Sequence, residues 1–180
     1  LGTMVVGLAR GKSNLSALAA PQEKAVIPPG STTKQQFLQK CTACQLCINK
    51  CPEQVLKPAT TEYGIFGKGK PVLDYRHGYC NFYCNTCSSV CPTGAIGSLA
   101  LQAKQTVKIG VANYDMHSCL ILKEGVFCGN CALHCPTEAI TMEKMGDLHL
   151  PRVNETKCIG CGSCEYHCPA TPKAMHVEGK

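Results

Sequence analysis

The sequence predicts an α+β protein built from two similar halves in tandem. Three observations support this prediction. Sixteen of the 180 residues are cysteine, while tryptophan is absent and the aromatic residues are four Phe and six Tyr. The cysteines fall into four groups of four, which is an internal repeat. Alternating segments at residues 106–111 and 148–153 precede later groups and are typical of short strands.

The spacing of the cysteines identifies the kind of site. The first and last groups have the C-x2-C-x2-C-x3-C-P pattern of bacterial ferredoxins, at Cys41, Cys44, Cys47, Cys51 and at Cys158, Cys161, Cys164, Cys168. The second group widens the first gap slightly, and the third widens it much further: Cys80, Cys84, Cys87, Cys91 and Cys119, Cys128, Cys131, Cys135. A proline follows every fourth cysteine, where it suits the start of a helical turn.

This pattern predicts that all sixteen cysteines are iron ligands of four [4Fe–4S] clusters. Three thiolates on a tightly coiled loop can each reach a different iron of one cube, and the fourth cysteine of such a motif ligates the cluster of a partner motif. Four motifs therefore indicate two pairs. The predicted fold is two tandem bacterial-ferredoxin-like halves, each with two clusters, that form one four-cluster module. Cluster binding would contribute to folding.

An aliphatic pair follows each Cys-Pro after a short turn. We expect these pairs to pack beside the clusters and to exclude water from them. They are Val55-Leu56, Ala95-Ile96, Ala139-Ile140 and Ala174-Met175.

Other uses of the cysteines fit less well. A disulfide framework scatters its cysteines and does not place proline after every fourth one. Structural zinc sites use separated pairs of ligands rather than runs of three or four.

The formal net charge of +6 would fall to about −2 once four oxidised clusters contribute about −8, so the basic residues mainly compensate buried anions. No basic run with interleaved aromatics indicates nucleic acid, and no catalytic constellation or small-molecule site is visible, so we expect no substrate chemistry.

Two histidines occupy equivalent positions. His134 and His167 each directly precede the fourth cysteine of their motif. They could be hydrogen-bond donors that tune a cluster, but we favour ordinary surface positions, because each cluster already has four thiolates.

Residues 1–30 differ from the rest and are predicted to be an N-terminal arm before a module at 31–180. Leu1–Leu8 is apolar, basic residues follow, and a Pro-rich stretch ends at Gly30. This order fits the exit of a membrane anchor or the end of a signal segment. A loose arm that packs on the module is the alternative.

From Pro28 onward, the chain resembles the NapG/MauM type of ferredoxin-like protein. The resemblance rests on PPG, FLQKC, CTACQLCINKCP and the widened third motif CLILKEGVFCGNCALHCP. It implies electron transport from a membrane quinol-oxidising partner of the NapH type, either separate or fused upstream, to a periplasmic reductase or cytochrome. The implied location is membrane-associated, with the periplasmic face favoured and the cytoplasmic face left open. The alternative is the iron–sulfur subunit of a molybdenum or tungsten oxidoreductase complex, and a purely structural or regulatory cluster protein ranks last.

Analogy with four-cluster families implies a nested pairing of motifs. The outer half would combine 31–66 with 147–180, and the inner half would be 67–146. The predicted ligand sets are then Cys41, Cys44, Cys47 with Cys168; Cys158, Cys161, Cys164 with Cys51; Cys80, Cys84, Cys87 with Cys135; and Cys119, Cys128, Cys131 with Cys91. Consecutive pairing is the alternative, and a hairpin-like run between Ala139 and Val153 supports it.

Overall fold

The computed structural model describes residues 25–180 and contains mixed α and β structure. The helices are short: α1 (Lys34–Lys40), α2 (Leu46–Asn49), α3 (Thr86–Ser89), α4 (Leu101–Thr106), α5 (Leu120–Glu124), α6 (Asn130–Leu133) and α7 (Ser163–Tyr166). The strands are β1 (Leu56–Pro58), β2 (Pro71–Leu73), β3 (Gly110–Tyr114), β4 (Ile140–Met145), β5 (Leu148–Val153) and β6 (Met175–Gly179). Single 3₁₀ turns lie at Ile65–Gly67 and Met116–Ser118.

The strands form three antiparallel pairs within the described range. β1 pairs with β2, and β4 pairs with β5, so that each hairpin connects two consecutive cysteine motifs. β3 pairs with β6 from Gly110↔Gly179 to Tyr114↔Met175, which joins the two ends of the second half. In the first half the corresponding ends are linked by the amide of Gly97, which donates to the carbonyl of Gly30 at 3.0 Å. The two halves therefore repeat one layout.

The apolar core follows this division into consecutive halves. One cluster of buried residues lies between positions 25 and 109, and two further clusters lie between positions 112 and 175. Val72 and Ile96, for example, pack in the same cluster as Phe37 and Val55. The predicted outer half (31–66 with 147–180) and inner half (67–146) are therefore wrong as structural units. The β1–β2 hairpin folds the chain back locally, and neighbouring elements in sequence pair more readily than distant ones.

The aliphatic pairs after the Cys-Pro dipeptides lie where the repeat predicted. All eight of their residues are buried: Val55, Leu56, Ala95, Ile96, Ala139, Ile140, Ala174 and Met175. The strand predicted at 148–153 is confirmed as β5. The strand predicted at 106–111 is displaced, because α4 continues to Thr106 and β3 begins only at Gly110. The buried side chain of Lys104 anchors α4 on the first half, which local alternation of residues does not reveal.

The predicted N-terminal arm is divided by the structure. Residues 25–30 pack on the first half, with Val26 and Pro28 buried and the carbonyl of Val26 accepting from the amide of Leu73 at 3.1 Å. Leu1–Leu8 and the basic residues after it lie outside the described residues. Within 25–180, no helix has the length and apolar character needed to cross a membrane.

Candidate metal centres

The sixteen cysteines surround four cavities of similar size, four cysteines to each. Site A is lined by Cys41, Cys44, Cys47 and Cys91 and has a volume of about 310 Å³. Site B is lined by Cys51, Cys80, Cys84 and Cys87, with about 370 Å³. Site C is lined by Cys119, Cys128, Cys131 and Cys168, with about 360 Å³. Site D is lined by Cys135, Cys158, Cys161 and Cys164, with about 300 Å³.

Each site combines three cysteines of one motif with the fourth cysteine of its neighbour. Cys51 lies in site B and Cys91 in site A, so the first and second motifs form a pair. Cys135 lies in site D and Cys168 in site C, so the third and fourth motifs form the other pair. The nested sets, which placed Cys168 with the first motif, are therefore wrong. The hairpin between paired motifs explains the result, because it brings their loops side by side within each half.

None of the sixteen cysteines forms a disulfide. Across residues 25–180, no three Cys, His, Asp or Glu side chains converge on a point suited to a single metal ion. The sulfur atoms instead line the walls of cavities. Four thiols around a cavity are the donor set that a cube of four irons requires.

The loops of sites A and D share an unusual backbone conformation. Ala43 and Gln45 in the first motif have φ values of 56° and 62°, and Gly160 and Gly162 in the fourth have 75° and 80°. This left-handed turn coils the loop around the cavity, and for a residue other than glycine it costs about 1–2 kcal/mol. The fourth motif has a further reason for glycine. A Cβ atom on Gly160 would lie 2.5 Å from the backbone nitrogen of Gly110.

Backbone amides reach the sulfur of the fourth cysteine in three motifs. The amides of Ile96, Ala139 and Ala174 donate to Cys91, Cys135 and Cys168 at 3.4, 3.2 and 3.4 Å. All three donors belong to the buried aliphatic pairs. Burial opposes ionisation of Cys91, but the hydrogen bonds from Ile96 and Thr93 outweigh it and lower the pKa of this thiol. The buried pairs therefore cover the sites and supply hydrogen bonds to sulfur, and at Cys91 these bonds favour the thiolate.

Several other thiols of the sites resist ionisation. Burial, followed by the charges of neighbouring cysteines, raises the pKa of Cys47 to about 11 and that of Cys87 to about 12. Burial also raises the pKa of Cys131 and of Cys161 to about 11. A metal ligand must lose its proton, so a cation has to supply the charge that stabilises these thiolates. The sites are therefore suited to a strongly positive iron core.

One buried lysine lies beside site B. Lys104 is 3% exposed, and its ammonium group donates a hydrogen bond to the carbonyl of Asn81. Burial raises the pKa of Cys80, while the charge of Lys104 and its hydrogen bond to this thiol oppose that effect. The sequence pattern did not reveal this role of Lys104, because the basic residues could be interpreted only through their total charge. A single lysine between Ala103 and Gln105 on a short helix gave little signal.

His134 and His167 lie face to face between the third and fourth motifs. Their ring centroids are 3.7 Å apart and their planes differ by 5°. The Nδ1 atom of His167 lies 2.9 Å from the carbonyl oxygen of Ser163, and since a carbonyl only accepts, Nδ1 donates. Tyr79, which precedes Cys80, packs 5.3 Å from the ring of His167. His134 is exposed and His167 is half-buried, so both lie at the surface as expected. Their stacked rings also pack the two loops against each other.

Comparison with known proteins agrees with the geometry. The family of 4Fe-4S dicluster domains matches residues 40–95 and 126–171. The first match contains the first motif pair, and the second contains the second pair without Cys119. Two such domains with sixteen cysteines correspond to four [4Fe–4S] clusters. The match to the second domain begins at residue 126, inside the widened gap between Cys119 and Cys128.

Similar proteins match over most of the chain. The methylamine utilization ferredoxin-type protein MauM of Methylobacillus flagellatus is 33% identical, over 89% of this chain and 70% of its own length. MauM of Methylorubrum extorquens is 35% identical, over 88% and 74%. The ferredoxin-type protein NapG of Escherichia coli is 31% identical, over 88% and 71%.

Proposed function

Because this chain belongs to the ferredoxin-type iron–sulfur proteins with 4Fe-4S dicluster domains, we propose that it relays single electrons and has no substrate chemistry of its own. The observation that carries the proposal is the arrangement of four cavities, each lined by four cysteines and paired within two halves. Four [4Fe–4S] clusters supply one-electron redox chemistry when bound. A structural role would need fewer of them.

The proposed ligands are the thiolates of sites A to D in their consecutive sets. The polypeptide holds them in short loops whose geometry is fixed by left-handed turns and by the buried aliphatic pairs. The amides at Cys91, Cys135 and Cys168 place hydrogen-bond donors on sulfur, which is one of the factors that set cluster potentials. The sites differ in these donors and in exposure, so their potentials should differ.

The proposed donor is a membrane quinol-oxidising protein of the NapH type, either separate or fused upstream. The proposed acceptor is a periplasmic reductase or cytochrome. The protein would then be membrane-associated on the periplasmic face. The similarity to MauM and NapG supports this assignment, because both are named ferredoxin-type proteins and MauM is named for methylamine utilization. Exposed apolar side chains such as Phe66 and Phe127 fit contacts with protein partners. No observation favours the molybdenum or tungsten oxidoreductase alternative.

Analysis of the anaerobically purified protein tests the relay. We expect about 16 iron atoms and about 16 acid-labile sulfides per chain, with clusters that are reduced reversibly one electron at a time. About half of that iron would contradict the four-cluster assignment. Clusters that never change oxidation state between mild oxidant and dithionite would contradict electron transfer.

Membrane vesicles test the proposed donor. Vesicles that contain the quinol-oxidising partner should reduce the clusters when quinol is added, which is followed by the bleaching of their visible absorption. Vesicles from cells that lack the partner serve as the control. Equal reduction by both would contradict the proposed donor but not the relay itself.

A further inference from the structure

Within each half, two sites are joined by contacts between short helices. In the first half, α2 contains Cys47 of site A and contacts α3, which contains Cys87 of site B. In the second half, α6 contains Cys131 of site C and contacts α7, which contains Cys164 of site D. The hydroxyl of Ser163 on α7 also donates to the carbonyl of His134 at 2.9 Å, which ties the same two loops together.

Between the halves, the contact involves sites B and D. The amide of Cys80 in site B donates a hydrogen bond to the carbonyl of Cys161 in site D at 2.8 Å.

Tyr75 holds this contact in place. It belongs to the first half, is buried, and donates its hydroxyl to the carbonyl of Gly160 at 2.7 Å. Its ring fills the space over Gly162, where a Cβ atom would lie 1.9 Å from the ring carbon Cδ1. Gly160 and Gly162 flank Cys161 in the sequence. One side chain from the first half therefore packs against both sides of a cysteine of site D.

We propose that the four sites form one linear electron path in the order A–B–D–C, and that Tyr75 is the positioning residue that holds sites B and D together. The inference rests on the proposed function. The order differs from the order of the motifs in the chain, because the second half presents site D, not site C, to the first half. Sites A and C are then the two ends of the path.

The surfaces of the two end sites fit this order. At site A, Cys44 is exposed and the neighbouring Leu46 is 43% exposed. At site C, Phe127 directly precedes Cys128 and is 92% exposed. External redox partners can therefore approach sites A and C at these side chains.

Variants that leave one cluster in each half test the order. Cys44→Ala removes site A, so that the only neighbouring clusters left for site B lie in the second half. Adding Cys128→Ala removes site C and leaves the clusters of sites B and D. The electron paramagnetic resonance spectrum of the reduced protein should then still show magnetic coupling of the site B cluster. Adding Cys158→Ala instead removes site D, and the coupling should be lost. The opposite result would place site C beside site B and overturn the order.

Variants that keep every cysteine test Tyr75. Tyr75→Ala should retain about 16 iron atoms per chain, lose the coupling between sites B and D, and speed hydrogen exchange at the Cys80 amide. Tyr75→Phe should have a smaller effect, because only the hydrogen bond is removed. The matched control is Tyr63→Phe, because Tyr63 is also buried and donates its hydroxyl to a carbonyl, that of Pro71, at 3.0 Å. Unchanged coupling and exchange in Tyr75→Ala would overturn the role of Tyr75.

The outcomes also separate this inference from the proposed function. Wild-type protein without redox-active clusters would contradict the relay. Four redox-active clusters with site B coupled to site C would contradict only the order.

Discussion

The ring of Tyr75 lies directly over Gly162, so that the two residues together form a closely packed point between the halves. A Cβ atom at position 162 would lie within 2.4 Å of three ring carbons of Tyr75. The φ of Gly162 is 80°, which is also unfavourable for any residue with a side chain. Packing between the halves therefore requires glycine here. The coil of the site D loop favours glycine, although Gln45 adopts the same turn in the first motif.

Gly162→Ala should consequently destabilise the loaded protein. Overpacking costs about 1–3 kcal/mol, and the left-handed conformation adds about 1–2 kcal/mol. We expect a lower temperature for the loss of cluster absorption in an anaerobic thermal scan. Gly129→Ala is the matched control, since Gly129 also lies between the cysteines of a motif but a Cβ atom there would have no neighbouring atoms within 4 Å. Equal midpoints for the two variants would contradict this explanation.

Lys104 should raise the reduction potential of site B. A buried positive charge beside Cys80 favours the extra electron, so Lys104→Met should lower the potential of one cluster. The expected shift is on the order of 50–100 mV, which corresponds to about 1–2 kcal/mol for a one-electron couple. A redox titration followed by electron paramagnetic resonance would measure it.

Two further lysine variants make this measurement specific. Lys104→Arg keeps the charge and should preserve the potential. Lys144→Met removes the same charge from an exposed position on β4 and should leave all four potentials nearly unchanged. A similar shift in Lys144→Met would show that net charge, rather than the position of Lys104, is responsible.

Single ligand variants should reveal the consecutive pairing. Cys51→Ala and Cys84→Ala should alter the spectrum of the same cluster, because both residues line site B. Cys44→Ala should alter a different one, although Cys44 and Cys51 belong to the same motif. Each variant should lose up to about four irons. Identical spectral changes in Cys51→Ala and Cys44→Ala would contradict the sites described above.

The sequence revealed the features that repeat and concealed those that connect the repeats. The cysteine motifs and the buried pairs such as Ala139-Ile140 recur at similar spacing, so local pattern was enough to predict them. The pairing of motifs could not be predicted from local pattern, because Cys51 and Cys168 have the same local surroundings. Only the β1–β2 and β4–β5 hairpins decide which loops meet. Tyr75 and Lys104 act across the fold, on Gly160 and on Asn81, and neither stands in a recognisable motif.

The fold should depend on its clusters. Every described helix has between four and seven residues, and isolated helices shorter than about 12 residues are marginal in water. The described sheets have only two strands, which are also marginal by themselves. Core residues such as Cys47, Cys119 and Cys164 are themselves cluster ligands in the proposed sites, so removing the iron would leave buried thiols around four cavities. The unfolded chain has no preformed set of ligands, so the free energy of cluster binding becomes part of the free energy of folding.

Removal of the clusters should therefore unfold much of the chain. We expect iron chelation under reducing conditions to abolish most of the far-ultraviolet circular dichroism signal and the cooperative thermal transition. Anaerobic reconstitution with iron and sulfide should restore both. A chelated sample with the same thermal midpoint as the loaded protein would contradict this view, because its short helices and hairpins would then be stable without the metal that connects them.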